Sequence, residues 1–397
     1  MYNATKLFHQ TSPLPSLRKE LILRLDQKAK LKAARDLIRQ TLKEALVKAS
    51  SLVATNDYYN PRYVEKARVR PASDQVLRPR FRSQGSWVYD TLNRPAQAGQ
   101  EMDLDDGMYV PMSVVEGRPA VASTALRRMV EMTLAALCQA KGWRLDTEPN
   151  ICLRVIIDFE SHIDINIYAI PDDQMHLVEK RASASFADSA ITANAASQEI
   201  HLDSDQIYVS HKTKGWEQSD PLELEDWFKD AVERHSRWTN VARIVRYLKA
   251  WRDWKWTTSK LSSLVLMVCA VKALDEANTP PTPNRDDDGL LVVARALPGM
   301  LAGAVYNPVL PEVPLNDWDV TQRNTYELAA RGLREELAYA LEREGSAQGV
   351  LGRIQKLWGQ RVPNDVSLIS AVSVIGQVRD TPAKQSPSPK VGAHTSG

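Results

Sequence analysis

Asp103 and Asp105 stand two residues apart in the segment EMDLDDGMYVPM (101–112). Side chains alternate along a strand, so both carboxylates leave one face while Met102 and Leu104 leave the other. Two carboxylates side by side repel unless a cation lies between them. A hard divalent ion such as Mg²⁺, which prefers oxygen ligands, is the natural neutraliser. A third carboxylate, Asp164, falls on the polar face of HIDINIYAI (162–170), where Ile163, Ile165 and Ile167 point the other way. Three carboxylates can hold two metals about 4 Å apart, the arrangement used for in-line phosphoryl displacement. Upstream, Gly85-Ser86 opens a turn before an expected helix over 86–94. Glycine permits close backbone approach, a helix start offers N–H groups to a phosphate, and Ser86 adds a hydroxyl. A phosphate cradle and a metal-binding acidic run, Asp103 to Asp106, therefore share one short stretch. Taken alone, an Asp-rich turn also reads as a solvated loop. An EF-hand calcium loop does not fit, because Gly107 is at the fifth position from Asp103 and Val114 is at the twelfth.

The elements that must position these groups are readable from periodicity. A strand is expected over 102–111, its alternation breaking at Gly107. A helix over 124–141 carries Leu126, Met129, Val130, Leu134 and Leu137 on one face, with Gly142 as its stop. Segments 151–158 and 163–170 read as a β-hairpin, and 206–210 as a further strand. A long basic helix over 18–49 repeats Leu21, Leu25, Leu31, Leu37, Leu42 and Leu46; it is either a solvated helix packed by one stripe or a basic spine beside a polyanion site. From Leu222 the chain turns helical. Trp238, Val241, Val245, Leu248 and Trp251 form one stripe, 261–274 a buried helix, and Tyr326, Leu333, Leu337 and Leu341 a third. Residues 57–83, 172–204 and 278–289 read as loops, the first with a short strand and the second with a short helix. Residues 379–397 read as a disordered tail. The division is an N-terminal helical spine (1–54), a mixed α/β core (55–215), a helical lobe (216–378) and the tail.

Composition excludes several classes. Of 397 residues, 43% are hydrophobic and 25% charged, with a net charge of +2, so the chain is neither disordered throughout nor histone-like. Its three cysteines, Cys138, Cys152 and Cys269, are far apart with no CxxC, which excludes a disulfide scaffold or cysteine-rich zinc site and points to a reducing compartment. No segment reads as a membrane span or signal peptide, and a cytoplasmic protein is expected.

With these residues in view, the chain resembles the nucleotidyltransferases of the DNA polymerase β-like superfamily, and within it the bacterial CD-NTases of the DncV-like cyclic GMP-AMP synthase branch. The resemblance rests on QGSWVYDTLN (84–93), EMDLDDGMYVPM (101–112), HIDINIYAIP (162–171), RYLKAWRDW (246–254) and LSSLVLM (261–267), and covers roughly 15–375. It implies an α+β fold: a polymerase β-like nucleotidyltransferase lobe with a mixed sheet, a C-terminal helical lobe, and the active site between them. It implies that Asp103 and Asp105 bind metal, Mg²⁺ or Mn²⁺, and that Asp164 helps bind it and activates the acceptor hydroxyl. Gln84, Gly85 and Ser86 resemble the donor-triphosphate loop, with Tyr89 nearby. Lys249 and Ser263 resemble triphosphate contacts from the helical lobe, and Arg154 a residue lining the nucleotide pocket.

The implied activity is synthesis of a cyclic dinucleotide, 3′,3′-cyclic GMP-AMP from ATP and GTP, as a second messenger in CBASS anti-phage defence. Nothing resembles the zinc insertion of the animal DNA-sensing relatives, so activation by double-stranded DNA is not expected. Gly397 resembles the terminal glycine that some CBASS synthases use for conjugation to a ubiquitin-transfer-like partner. The alternatives are a linear, template-independent nucleotidyltransferase resembling oligoadenylate synthases, and a catalytically silent nucleotide- or RNA-binding protein. The intact acidic trio weighs against the second, since unneutralised carboxylates repel.

Overall fold

The computed structural model describes residues 1–11, 13–54, 77–114, 119–178 and 206–372. The loop expected over 57–83 lies outside these residues up to 76, that over 172–204 from 179 onward, and the tail with Gly397 entirely. Met102–Pro111 is a strand, β3, as the alternation requires, and it continues through Gly107 after the alternation breaks. It pairs antiparallel with β2 (Arg80–Ser83) and parallel with β6 (Ser161–Ile170). The expected hairpin is present: β5 (Cys152–Asp158) runs antiparallel to β6 and carries β4 (Arg144–Asp146) on its outer edge. Beyond β5, the far end of β6 pairs with β7 (Tyr208–His211), which pairs with β8 (Gly215–Gln218).

One face of this mixed sheet is apolar. Leu104, Met108, Val110, Val155, Ile163, Ile165 and Ile167 pack against α3 (Leu25–Ala54) and α5 (Pro119–Lys141). The latter begins earlier than the periodicity indicated and stops at Gly142, whose φ of +68° suits a residue without Cβ. Between β2 and β3 lies α4, only Gly85–Val88. The helix expected over 86–94 is thus a single turn; Asp90, at φ +51°, redirects the chain immediately after it.

The long N-terminal helix is also broken. A short α1 (Thr5–Phe8) and α2 (Leu17–Leu21) precede α3, and Leu25 is 87% exposed rather than part of the stripe. The two sides of the break serve different cores. Leu7, Phe8, Leu17 and Leu21 pack into the helical lobe, whereas Leu31, Ile38, Leu42 and Leu46 pack on the sheet. That lobe comprises α6 (Pro221–His235), α7 (Val241–Lys255), α8 (Ser263–Asp275), α9 (Asp286–Ala302), α10 (Val320–Glu342) and α11 (Ala347–Trp358). Trp238 precedes the Asn240 cap and so falls outside the stripe it was assigned to. The loop expected over 278–289 ends sooner. Asp286, Asp287 and Asp288 open α9, where acidic side chains oppose the helix dipole favourably. Asp286 accepts from Arg243 and Tyr247, and Asp287 accepts from the Ala4 amide, which ties the N-terminal segment to the lobe. A two-residue ladder between β1 (Tyr2–Asn3) and β9 (Ser370–Ala371) closes the same end.

The lobes meet through buried polar contacts. Arg82 on β2 is 3% exposed and ion-paired to Glu225 on α6 at 2.6 Å, and Lys229 reaches the same carboxylate at 2.6 Å. Residues 90–93 are bound to α7: Arg246 donates to the Leu92 carbonyl (2.6 Å) and Asp90 (2.7 Å), and Asn93 donates to the Arg246 carbonyl (2.9 Å). Gln97 and Gln100 each donate to the Asp253 carbonyl at the C-terminal end of α7, both at 2.7 Å. The three cysteines are free and buried. Among the described residues no helix is long and apolar enough to cross a membrane.

Candidate active site

Parallel pairing of β3 with β6 sets Asp105 directly opposite Asp164 and Asp103 opposite His162. All four side chains leave the sheet on the face away from α3 and α5. On the other side of Asp164, antiparallel pairing places Arg154 of β5. Its guanidinium binds the Asp164 carboxylate through two bonds of 2.8 Å, the bidentate geometry that fixes a carboxylate's plane. Asp106 departs from the expected acidic cluster. It points to the opposite face, is fully buried, and accepts from Arg39 of α3 (2.7 Å) and from Ser83 (3.1 Å). At Arg39 the basic helix thus acts as a packed structural element.

Asp103, His162 and Asp164 each offer one ligating atom within 4.8 Å of the others. The enclosed Oδ1 of Asp103 has no hydrogen-bond partner, although 46% of the side chain is open. An enclosed, unpartnered anionic oxygen beside a second carboxylate fits a cation. Burial raises the Asp103 pKa, but His162, Arg154 and Lys249 together hold it below the usual range. Burial and the neighbouring Asp103 and Asp164 push Asp105 well above that range. Burial lowers the His162 pKa, but the nearby Asp103 and Asp164 carboxylates together raise it above its ordinary value.

Gly85 lies over Asp105 at φ +59°, and a Cβ there would stand 2.1 Å from Asp105 Oδ2. The glycine is therefore needed both for its backbone conformation and for the approach. Gly85→Ala is expected to lower turnover about a hundredfold, since a displacement near 1 Å at a reacting centre costs about that much. Its left-handed strain is only about 1–2 kcal/mol, so thermal melting should show a folded protein. A variant with normal turnover would mean that Asp105 tolerates the shift.

The other candidates divide. Ser86 Oγ is 3.4 Å from the Asp103 carbonyl, beside the carboxylates. Gln84 turns away: its side chain is buried, donating to the Tyr109 hydroxyl (2.5 Å) and accepting from that of Tyr168 (3.2 Å). Its contribution to the loop is the backbone amide, bonded to the Asp105 carbonyl at 2.9 Å. Tyr89 packs its ring on Phe228 of α6, centroids 5.3 Å apart. Lys249 is buried in α7 and donates to the Thr91 carbonyl at 2.7 Å; burial and the adjacent Arg252 push its amine down to about 7. Ser263 begins α8 and accepts from Arg252 at 3.1 Å.

A cleft of 380 Å³ opens beside these groups, with Glu101, Arg154 and His162 on the sheet side and Arg252, Trp256 and Ser262 on the helical side. His162 is the residue that sequence reasoning missed. Its position two residues before Asp164, hence on the same strand face, was the available signal.

A family model for the nucleotidyltransferase domain of DncV-like cyclic GMP-AMP synthases matches residues 79–168, and one for the C-terminal domain of cyclic GMP-AMP synthase matches 239–371. A cyclic GMP-AMP synthase of Vibrio cholerae is 31% identical over 92% of this chain and 93% of its own length. The chain belongs to the DncV-like cyclic GMP-AMP synthase family. A family member from Escherichia coli is 33% identical over 79% of this chain and 74% of its own. The fold agrees: Vibrio cholerae DncV bound to the linear intermediate pppA(3′,5′)pG superimposes with a TM-score of 0.76 at 27% identity, covering 94% of this chain and 99% of that one. DncV with GTP and 5MTHFGLU2 gives 0.76 at 28% identity, covering 94% and 100%. The chain is a DncV-like nucleotidyltransferase, with the expected α+β sheet lobe followed by helices.

Proposed function

We propose that this protein joins ATP and GTP into 3′,3′-cyclic GMP-AMP in the cleft between its lobes. The observation that carries the reading is the β3–β6 register, which puts Asp103, Asp105 and Asp164 from distant segments on one face of the sheet, beside the cleft lined by Arg154 and His162. The ligands present in the related structures support the choice of nucleotides.

Asp103, Asp105 and Asp164 would hold the divalent cation, Mg²⁺ or Mn²⁺. Such a cation neutralises charge at the phosphates and favours the ionised hydroxyl. The 3′-hydroxyl of one nucleotide attacks the α-phosphate of the other; a P–O bond forms as the bond to pyrophosphate breaks. Asp164, its plane fixed by Arg154, orients that hydroxyl and takes its proton. Gly85 and Ser86 bind the donor phosphates by backbone N–H groups and the Ser86 hydroxyl. A single-turn α4 contributes little dipole, so these direct bonds carry the contact. Lys249, Ser263 and Arg252 meet the triphosphate from the helical side, with Arg154 lining the nucleotide pocket. The linear product then reverses in the cleft and the second displacement closes the ring. Catalysis rests on positioning and on charge neutralisation.

Incubation with all four nucleoside triphosphates and Mg²⁺ or Mn²⁺, followed by mass spectrometry, tests the reading. The expected product is a cyclic G–A dinucleotide with no phosphatase-sensitive end. A phosphatase-sensitive oligomer would make the enzyme a linear nucleotidyltransferase, and absence of pyrophosphate release would leave only binding. Lys249 gives a second handle. With its amine at about 7, its charge is lost as pH rises above that value. A lost charged hydrogen bond is worth roughly tenfold in binding, so the KM for triphosphate should climb from about pH 6.5 to 8.5. In Lys249→Met the climb should be absent.

The reading extends to the cell as second-messenger synthesis in the cytoplasm during CBASS anti-phage defence. It includes conjugation of Gly397 by a ubiquitin-transfer-like partner and independence from double-stranded DNA. If one residue added after Gly397 left conjugation intact, the terminal-glycine part would fail.

A further inference from the structure

We propose that His162 is a nitrogen ligand of the metal site, held in its ligating form by Glu101, and that it gives the site an affinity for first-row transition ions that Mg²⁺ does not share. The proposal rests on the reading of Asp103 and Asp164 as metal ligands. His162 is 5% exposed, and its Nε2 has no hydrogen-bond partner. That nitrogen lies 3.0 Å from Asp103 Oδ1 and 3.9 Å from Asp164 Oδ1. Asp103 Oδ1 is itself without a hydrogen-bond partner, so the short approach lies off the line of an N–H···O bond. Two enclosed atoms that face each other without bonding are what a missing common partner leaves behind.

The other ring nitrogen explains how the imidazole is oriented. His162 Nδ1 is 2.6 Å from Glu101 Oε2. An ionised carboxylate only accepts, so Nδ1 carries the hydrogen, and in the neutral ring that a metal ligand requires the Nε2 lone pair is turned to the cleft. A carboxylate behind a histidine, fixing ring and tautomer, is the arrangement that supports metal-binding imidazoles. Strand register makes it rigid: His162 is paired with Asp103, and the Met102 amide, next to Glu101, donates to the Glu160 carbonyl at 2.6 Å. Imidazole adds little for Mg²⁺, which keeps oxygen ligands and water. It adds affinity for borderline ions.

Electron spin echo spectroscopy of the full-length protein with Mn²⁺ and a non-hydrolysable nucleoside triphosphate tests this directly. Unlabelled protein should show a nitrogen coupling to Mn²⁺ that changes pattern when histidine alone carries ¹⁵N. His162→Gln should abolish that coupling and weaken Mn²⁺ binding about tenfold or more, while Glu101→Gln should keep it and weaken binding about tenfold. Bound Mn²⁺ without a histidine coupling, or the same coupling in His162→Gln, would overturn the ligand and leave the carboxylate site standing. Failure of the wild-type protein to bind Mn²⁺ would overturn both. The labelling comparison on the wild-type protein decides the matter even if His162→Gln does not fold.

Discussion

Asp105→Asn is expected to lower pyrophosphate release by at least about a thousandfold, while metal-free protein melts at the same temperature or higher. The two halves have one cause. Asp105 faces Asp164 across the β3–β6 pair and shares its strand face with Asp103. Burial and these two carboxylates push its pKa well up, the sign of anions crowded without a neutralising partner. Asparagine keeps the shape and removes the repulsion, so the metal-free fold loses nothing. It also removes a charge that would hold the cation. Metal stabilisation of a transferring phosphoryl group is worth several kcal/mol, and each 1.36 kcal/mol is about tenfold in rate. Comparing pyrophosphate release with melting in EDTA separates the roles. If activity fell only because the protein unfolded, Asp105 would be structural.

Arg82→Met is expected to cost about 3–5 kcal/mol of stability, the usual consequence of breaking a buried ion pair, with Lys229 still reaching the Glu225 carboxylate. At about 2–4 °C per kcal/mol for a unit of 150–250 residues, melting should fall by roughly 6–20 °C. Arg82 and Glu225 join the sheet to the first helix of the other lobe and are both buried. Burial would raise the Glu225 pKa, but Arg82 and Lys229 hold it below its ordinary value. The stability from this depressed carboxylate is present above its unfolded pKa and is lost as pH falls through the folded one. Arg82→Met should therefore also flatten the acid side of the stability profile. Adding Glu225→Leu should recover most of the loss, because an apolar replacement of a whole buried pair is often neutral. No recovery would show that Arg82 acts through other contacts.

Strand β3 was legible because its alternation is strict around Asp103 and Asp105, and the β5–β6 hairpin because its apolar residues alternate too. The register that sets Asp105 against Asp164 was not, since alternation assigns a face and not a partner. His162 shares the parity of Asp164, so its face was legible, but its distance from Asp103 follows only from parallel pairing. Asp106 shows the converse: adjacency in an acidic run says nothing of function when the next residue points to the other side. The start of α9 was obscured by its three aspartates, read as loop although acids favour a helix's first turn. Gln84 and Lys249 carry family-like wording, yet their buried bonds to Tyr109 and to the Thr91 carbonyl depend on tertiary packing.

The division of the N-terminal residues between two cores also orders events on the ribosome. The described strands of the sheet lobe are all synthesised by Gln218, and α3 is already available to cover them. Phe8, by contrast, packs on Tyr247 and Trp358. About 350 residues must follow it before that seat exists, roughly twenty seconds to a minute of translation at 5–20 residues per second. Throughout that interval Leu7 and Phe8 are sticky and homeless. The helical lobe closes last, and a nascent chain halted before Trp358 should show a protease-resistant sheet lobe with an accessible N-terminal segment.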